Sequence, residues 1–447
     1  MHADRLQRWG YGLAVAALAA TVAWAGWTDD RPLAWVMVWM LEVAMLAAVP
    51  WWPAAGLVAC TAMQYGISSH GDGHDWLLRM RLIDLTTATA WFGWLAFHRP
   101  PLLPVRQWSA PQIAGALLIG WSCISLAAAL FHGMPWGSFL RHDPSAFFQC
   151  AIVFMLASAT LGSQRDSLVM AALLPGLVLV RAMLQGPQGI HLESYIATLA
   201  AVVAPVAAVG AAIAPSWVLK AVYAAAAPAL LLVVALSQNR AAAVAVAAGM
   251  LALIVQWMVR PVKHRVLLIA MVLAAAAGCA WTAKGYTDRF QSLIDPSATH
   301  ATASLDRQTA ASRLDLWQAG WEMARQAPLL GVGPGNYPAE LQFRRPGTDI
   351  LAAHSNYVQM LAETGFPGLL LYLSFFLLVA AALWRCPRDL PIGQWQRPAA
   401  PWLLLALVCY LAGGAFNSRH DLALAYLVAG WGCAVAATAR HVRGRTP

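Results

Sequence analysis

Most of this chain is written in apolar runs long enough to cross a bilayer. They cover 9–27, 33–49, 51–66, 79–97, 110–131, 146–161, 167–185, 193–213, 216–236, 240–258, 265–282, 357–384, 399–416 and 422–438. A span needs about 20 predominantly apolar residues, with about 17 as a lower limit. Lipid offers the backbone no hydrogen-bond partner, so runs of this kind span as helices. The second and third are short and joined by Pro50-Trp51-Trp52-Pro53, which allows a re-entrant pair in place of two spans. The expected fold is all-α, a polytopic membrane protein with 12–14 transmembrane helices. Composition agrees: 60% of residues are hydrophobic and 11% charged, against about a quarter charged in a soluble domain. The 22 tryptophans suit a membrane–water interface.

The first run follows Arg5 and Arg8 and contains Ala23-Trp24-Ala25, a faint likeness to a signal-peptidase site. Further runs follow at once, so it is taken as the first retained span. The net charge of +9 invites a nucleic-acid reading, but the positions of the basic residues argue for orientation. With the N-terminus in the cytoplasm, cytoplasmic helix ends hold about twice as many Lys and Arg as the short outer ends, a positive-inside bias. Both termini are then cytoplasmic and the long 282–356 loop lies outside, which in a bacterial inner membrane is the periplasm. No nucleic-acid partner is expected. Cys60, Cys123, Cys150, Cys279, Cys409 and Cys433 lie in apolar runs, and only Cys386 sits in a polar segment. There is no CxxC or zinc spacing, and the six are expected to be small core residues.

A polar loop of this length in so apolar a chain is functional or disordered, and its patterning argues against disorder. Leu314, Trp317, Trp321 and Ala324 recur at helical spacing, which predicts an amphipathic helix over 305–327 ended by Pro328. Such a helix lies on the outer membrane surface or closes over a cavity between spans. The glycines of 331–335 then permit a tight turn.

The candidate functional residues gather at the outer edge. Arg240 follows Ser237-Gln238-Asn239 between two spans, with no acid nearby in sequence. An edge arginine can be a snorkelling interface residue, or with Asn239 it can form a donor cluster, and its planar fork suits phosphate. Arg313 begins the amphipathic helix, where Asp315 offers a surface ion pair as the plainer reading. If the loop folds down, Arg313 joins Arg240 over one anionic group. His354 stands where the loop meets the next span. Its charge can change near neutral pH, which suits a general base for a sugar hydroxyl; the plainer reading is an interfacial histidine bonded to backbone. Arg141, and Arg419 with His420, cap other outer turns and could line the same vestibule, or be ordinary loop polarity. No Walker motif, strand-preceded glycine loop or carboxylate cluster is present. Neither nucleotide, metal nor other cofactor is expected, and any glycosyl donor must arrive pre-activated in the membrane.

Ser312-Arg313-Leu314-Asp315-Leu316-Trp317, Pro328-Leu329-Leu330-Gly331-Val332-Gly333-Pro334-Gly335-Asn336, His354-Ser355-Asn356-Tyr357-Val358-Gln359 and Glu363-Thr364-Gly365-Phe366-Pro367-Gly368 together resemble the O-antigen ligase / O-antigen polymerase superfamily. The resemblance runs over about 237–375, including the Ser237-Gln238-Asn239-Arg240 turn; elsewhere it rests on the many-span layout. It divides the chain into N-terminal spans (1–236), a ligase core (237–384) with its loop (282–356), and C-terminal spans (385–447). It implies a glycosyltransferase using an undecaprenyl-diphosphate-linked glycan, with neither nucleotide nor metal. By position, Arg240 and Arg313 match the arginines thought to hold the donor diphosphate, and His354 the histidine thought to activate the acceptor. Asn239, Asn336, Tyr337, Asn356, Tyr357, Arg141, Arg419 and His420 are the further substrate-binding candidates. The expected activity is that of an O-antigen ligase acting on lipid A–core at the periplasmic face, with an inverting reaction. An O-antigen polymerase, a protein O-oligosaccharyltransferase and a non-catalytic lipid or polysaccharide transporter are the alternatives. A transporter needs polar residues along a path through the spans, whereas the charges here gather at the outer edge.

Overall fold

The computed structural model describes residues 54–66, 86–92, 94–96, 108–131, 145–192, 194–259, 303–345, 352–391, 393–418 and 422–443, with a few single positions before residue 54. Among them every regular element is a helix. In chain order these are α1 (Ala55–Gly66), α2 (Ala110–Phe131), α3 (Ser145–Thr160), α4 (Gln164–Leu192), α5 (Ser194–Ile213) and α6 (Trp217–Ser237). They continue with α7 (Arg240–Val259), α8 (Ala303–Gln326), α9 (Tyr337–Arg344), α10 (Asn356–Asp389), α11 (Gln396–Gly413) and α12 (Ala423–Arg443). The protein is an all-α polytopic membrane protein. Five described helices are long and apolar enough to cross a membrane: Ala110–Phe131, Gln164–Met183, Tyr195–Ile213, Trp217–Ser237 and Asn356–Pro387. The expected runs over 9–27 and 265–282 lie outside the described residues, and those over 33–49 and 79–97 do so in part.

Burial sorts these apolar helices. The span of α5 is 94% buried and packs against α4, α6, α7 and α11, so it is the inner helix of its block. The spans of α2 and α6 are each 33% buried and turn Leu117, Ile124, Trp217 and Val222 outward, as lipid-facing helices do. Cys123 is exposed on α2 and Cys386 is buried, the reverse of what their surroundings in sequence suggest. A helix that is apolar all round carries no signal of which side meets lipid. The joints are capped by local chemistry. Ser216 Oγ accepts the Leu219 N–H at 3.3 Å to start α6, and the Ser163 and Asp166 side chains close the start of α4.

Helix α10 connects the parts. It packs against α2, α11 and α12 within the bundle, and its first turns pack against α8 outside it. The loop has its own small core of Leu316, Ala319, Met323, Tyr337, Leu341, Ala353 and Ala362. This bears out the expected apolar face of α8 at Trp317 and Ala324 and corrects it at Leu314 and Trp321. The protein-facing stripe is Leu316, Ala319 and Met323, while Leu314 and Trp321 are 65% and 48% exposed. α8 carries two apolar faces, and periodicity alone could not say which one meets the protein.

Candidate functional site

The site is assembled from two helix ends and the middle of α8. At the first, α6 stops when Gln238 turns left-handed at φ 51°. The Asn239 N–H donates to Ser237 Oγ at 3.2 Å, and Asn239 Oδ1 accepts the Ala242 N–H at 3.0 Å. The asparagine thus caps α7 and makes Arg240 its first residue. A cation there opposes the helix dipole, whose positive end lies at the N-terminus; the same end attracts anions.

The second part is set by register. α8 runs parallel to the first turns of α10. The Phe366 N–H donates to Pro328 O at 2.9 Å, Gly320 lies against Val358, and Trp317 Nε1 donates to Ala353 O at 3.0 Å. Descending along α8 is therefore descending in number along α10, and Arg313, one turn before Trp317, is carried beyond the start of α10. There it meets the charge of Arg240. Burial first, and the neighbouring Arg240 second, press the Arg313 guanidinium below its ordinary value. Its Nε is buried with no hydrogen-bond partner among the described residues. Asp315, the alternative partner, is exposed and two residues along a helix, hence on another face. Two like charges within electrostatic reach of each other, one with an orphaned donor, form an arrangement that an anion relieves.

The third part is the turn before α10. His354 has φ 52°, one of two non-glycine residues with positive φ among those described. It is held there from both sides: Ala353 O accepts the Trp317 indole N–H, and the Ser355 N–H donates to Ser418 Oγ at 3.1 Å. Ser355 then caps α10 through Val358 N. A left-handed non-glycine residue costs about 1–3 kcal/mol and persists where its surroundings over-determine it, most often at functional sites. The Asn356 N–H donates to Gly414 O at 2.7 Å, and Tyr357 Oη donates to Leu411 O at 2.5 Å. These two bonds fasten the start of α10 to the end of α11. Gly413 approaches Ala241, so Arg240, Arg313 and His354 stand at one end of the bundle around the α11 terminus.

A second feature holds the first in register, and sequence reasoning gave it no role. Within α10 the backbone breaks at Gly365 (φ 70°, ψ −176°), which frees the carbonyls before it. Ala362 O and Glu363 O accept the Val332 and Gly333 N–H groups, each at 2.9 Å. Trp121 Nε1 of α2 donates to Thr364 O at 2.9 Å, and Ser125 Oγ reaches Leu330 O and Glu363 O. Glu363 is wholly buried. Its carboxylate accepts the Gly335 N–H at 3.0 Å, the Tyr337 N–H at 3.4 Å and Gln359 Nε2 at 3.0 Å. A Cβ at Gly365 would overlap the Leu329 carbonyl, so no other residue fits. The signal in sequence was an acid inside an apolar run, which is expensive unless it has a task.

The remaining expected site residues have varied places. Asn336 is buried in the glycine turn with Nδ2 on Val332 O at 2.9 Å. Tyr337 is fully buried with its hydroxyl on Leu316 O, and burial pushes its phenol well up, so it stays a neutral donor. Asn356 is buried with Nδ2 toward Tyr372 Oη at 3.4 Å. These side chains and Tyr357 bind protein groups and stiffen the frame around the arginines and histidine. Arg141, Arg419 and His420 lie outside the described residues.

Residues 224–373 match the family model of the O-antigen ligases. The match begins within α6 and ends within α10, so it contains Arg240, Arg313, His354 and Glu363. No match is found among the curated proteins. The family match supports membership of the O-antigen ligase superfamily, a group of membrane glycosyltransferase-like proteins acting on lipid-linked polysaccharides.

Proposed function

We propose that this member of the O-antigen ligase superfamily transfers a finished O-polysaccharide from undecaprenyl diphosphate to a sugar hydroxyl of lipid A–core, at the periplasmic face of a bacterial inner membrane. The observation that carries the reading is that Arg313 is half-buried, with an orphaned Nε, within electrostatic reach of Arg240, the first residue of α7. In this reading both guanidinium groups bind the donor diphosphate. The acceptor oxygen attacks the anomeric carbon from the face opposite the diphosphate. The carbon–oxygen bond to the diphosphate breaks, and the configuration inverts. The acceptor proton passes to neutral His354, and undecaprenyl diphosphate leaves as an anion stabilised by the arginines. Removing one such charge donor typically costs about 3–4 kcal/mol in the barrier, and a positioned general base contributes about 10²–10⁴-fold. Arg141, Arg419 and His420 are proposed to line the acceptor side.

The test is reconstitution in vesicles with labelled lipid-linked O-polysaccharide and purified lipid A–core, with EDTA and without ATP. Label moving onto lipid A–core supports the ligase. Label building longer lipid-linked chains makes the protein a polymerase instead. Loss of transfer in EDTA, restored by a divalent cation, overturns the metal-free reaction.

A further inference from the structure

We infer that Trp317 is a positioning residue for His354, and that through it the seating of the loop helix and the aim of the histidine are one event. The inference rests on the reading of His354 as the proton acceptor. A left-handed His354 needs its two flanking peptide groups fixed. On one side the Ala353 carbonyl accepts the Trp317 indole N–H at 3.0 Å. On the other the Ser355 N–H donates to Ser418 Oγ at 3.1 Å. The two pins come from different parts of the chain, the loop helix and the turn after α11. They also touch each other's territory, because the Trp317 ring packs on Phe416 with centroids 6.3 Å apart.

Trp317 is also one helical turn from Arg313, on the neighbouring position of the same face. Any shift of α8 that moves Arg313 away from Arg240 withdraws the indole from Ala353 as well. A slip of one turn is about 5.4 Å, enough to break that bond entirely. An indole N–H is a single directed donor with no acceptor capacity, so phenylalanine keeps the ring and removes only the pin. The strained φ then loses one of its supports, and the histidine relaxes toward an ordinary backbone conformation.

The experiment compares Trp317→Phe and Ser418→Ala with the intact protein in the reconstituted assay, alongside His354→Ala. Displacement of a catalytic group by about 1 Å typically costs on the order of 10²-fold in rate. Trp317→Phe is expected to lower kcat about 10–100-fold, with the KM for the lipid-linked donor within about twofold and Tm nearly unchanged. Ser418→Ala, which removes the other pin, shows the same split. A purely structural tryptophan gives the opposite pattern, a lowered Tm or raised donor KM with kcat preserved, and that result overturns the inference. If Trp317→Phe does not accumulate, Ser418→Ala decides: a normal kcat in that variant also overturns it. If His354→Ala itself transfers glycan normally, the underlying general-base reading has failed. If His354→Ala is inactive and both pin variants are normal, the positioning inference alone has failed.

Discussion

The two ends of the contact between α8 and α10 are built on opposite principles. At its C-terminal end nearly every polar group has a protein partner. Pro328 O, Ala362 O, Glu363 O and the Glu363 carboxylate take the N–H groups of Phe366, Val332, Gly333, Gly335 and Tyr337. At its N-terminal end Arg313 is half-buried beside a second cation, with an orphaned Nε, and His354 sits in a left-handed turn. One end minimises free energy in the ligand-free chain; the other keeps cost in hand for something that binds. Local rules are broken where a function compensates for it, and the satisfied end keeps the other in place.

The largest break of this contrast is His354→Ala. It is expected to lower transfer by 10²–10⁴-fold, roughly the contribution of a general base, while the protein still inserts and accumulates. Initial rates and membrane yield check both halves. Next come Arg240→Ala and Arg313→Ala, each expected to lower kcat/KM by about 10²–10³-fold, with lysine at either position restoring only part. A lysine offers a point charge without the bidentate fork, and full activity in both lysine variants would remove the diphosphate-clamp geometry.

The satisfied end should respond differently. Gly365→Ala places a side chain at φ 70°, ψ −176° and against the Leu329 carbonyl; that backbone region, open essentially only to glycine, alone costs roughly 1–3 kcal/mol. The expected result is a lower Tm and reduced accumulation, with loss of activity following loss of folded protein. The smallest effect is Tyr337→Phe, which removes one buried hydrogen bond to Leu316 O. That costs about 0.5–1.5 kcal/mol directly, seen as a lower Tm with kcat preserved. A kcat loss in Tyr337→Phe without a Tm change would place Tyr337 with the strained end instead.

The spans were legible because lipid demands long apolar helices, and α6, α7 and α10 begin within a few residues of the expected runs. The glycine turn was also legible, since positive φ at Gly331, Gly333 and Gly335 is what such a sequence permits. Four things were hidden for physical reasons. The protein-facing side of α8 was read only in part: Trp317 and Ala324 meet the protein, while Leu314 and Trp321 recur at the same period as Leu316, Ala319 and Met323 but stay largely exposed. Glu363 was visible as an acid in an apolar run, but its main partners are backbone N–H groups, and a backbone donor leaves no mark in a sequence. The left-handed His354 is set by Trp317 and Ser418, each some 36 residues or more away, so no local pattern announces it. The convergence of Arg240 with Arg313 required the register of α8 on α10, which the spacing of the motifs alone does not contain.

The most direct test of the account is the thermal stability of the purified protein against inorganic pyrophosphate, with EDTA present, for the intact chain and Arg313→Met. Arginine remains charged at all accessible pH, and burial first and the neighbouring Arg240 second lower its folded-state value, so its charge destabilises the ligand-free fold across the neutral range. Arg313→Met should therefore melt no lower than the intact protein and respond weakly to pyrophosphate, whereas the intact protein should gain Tm as pyrophosphate rises. An intact protein indifferent to pyrophosphate, or an Arg313→Met variant that melts well below it and still responds, would contradict a diphosphate site built on the two arginines.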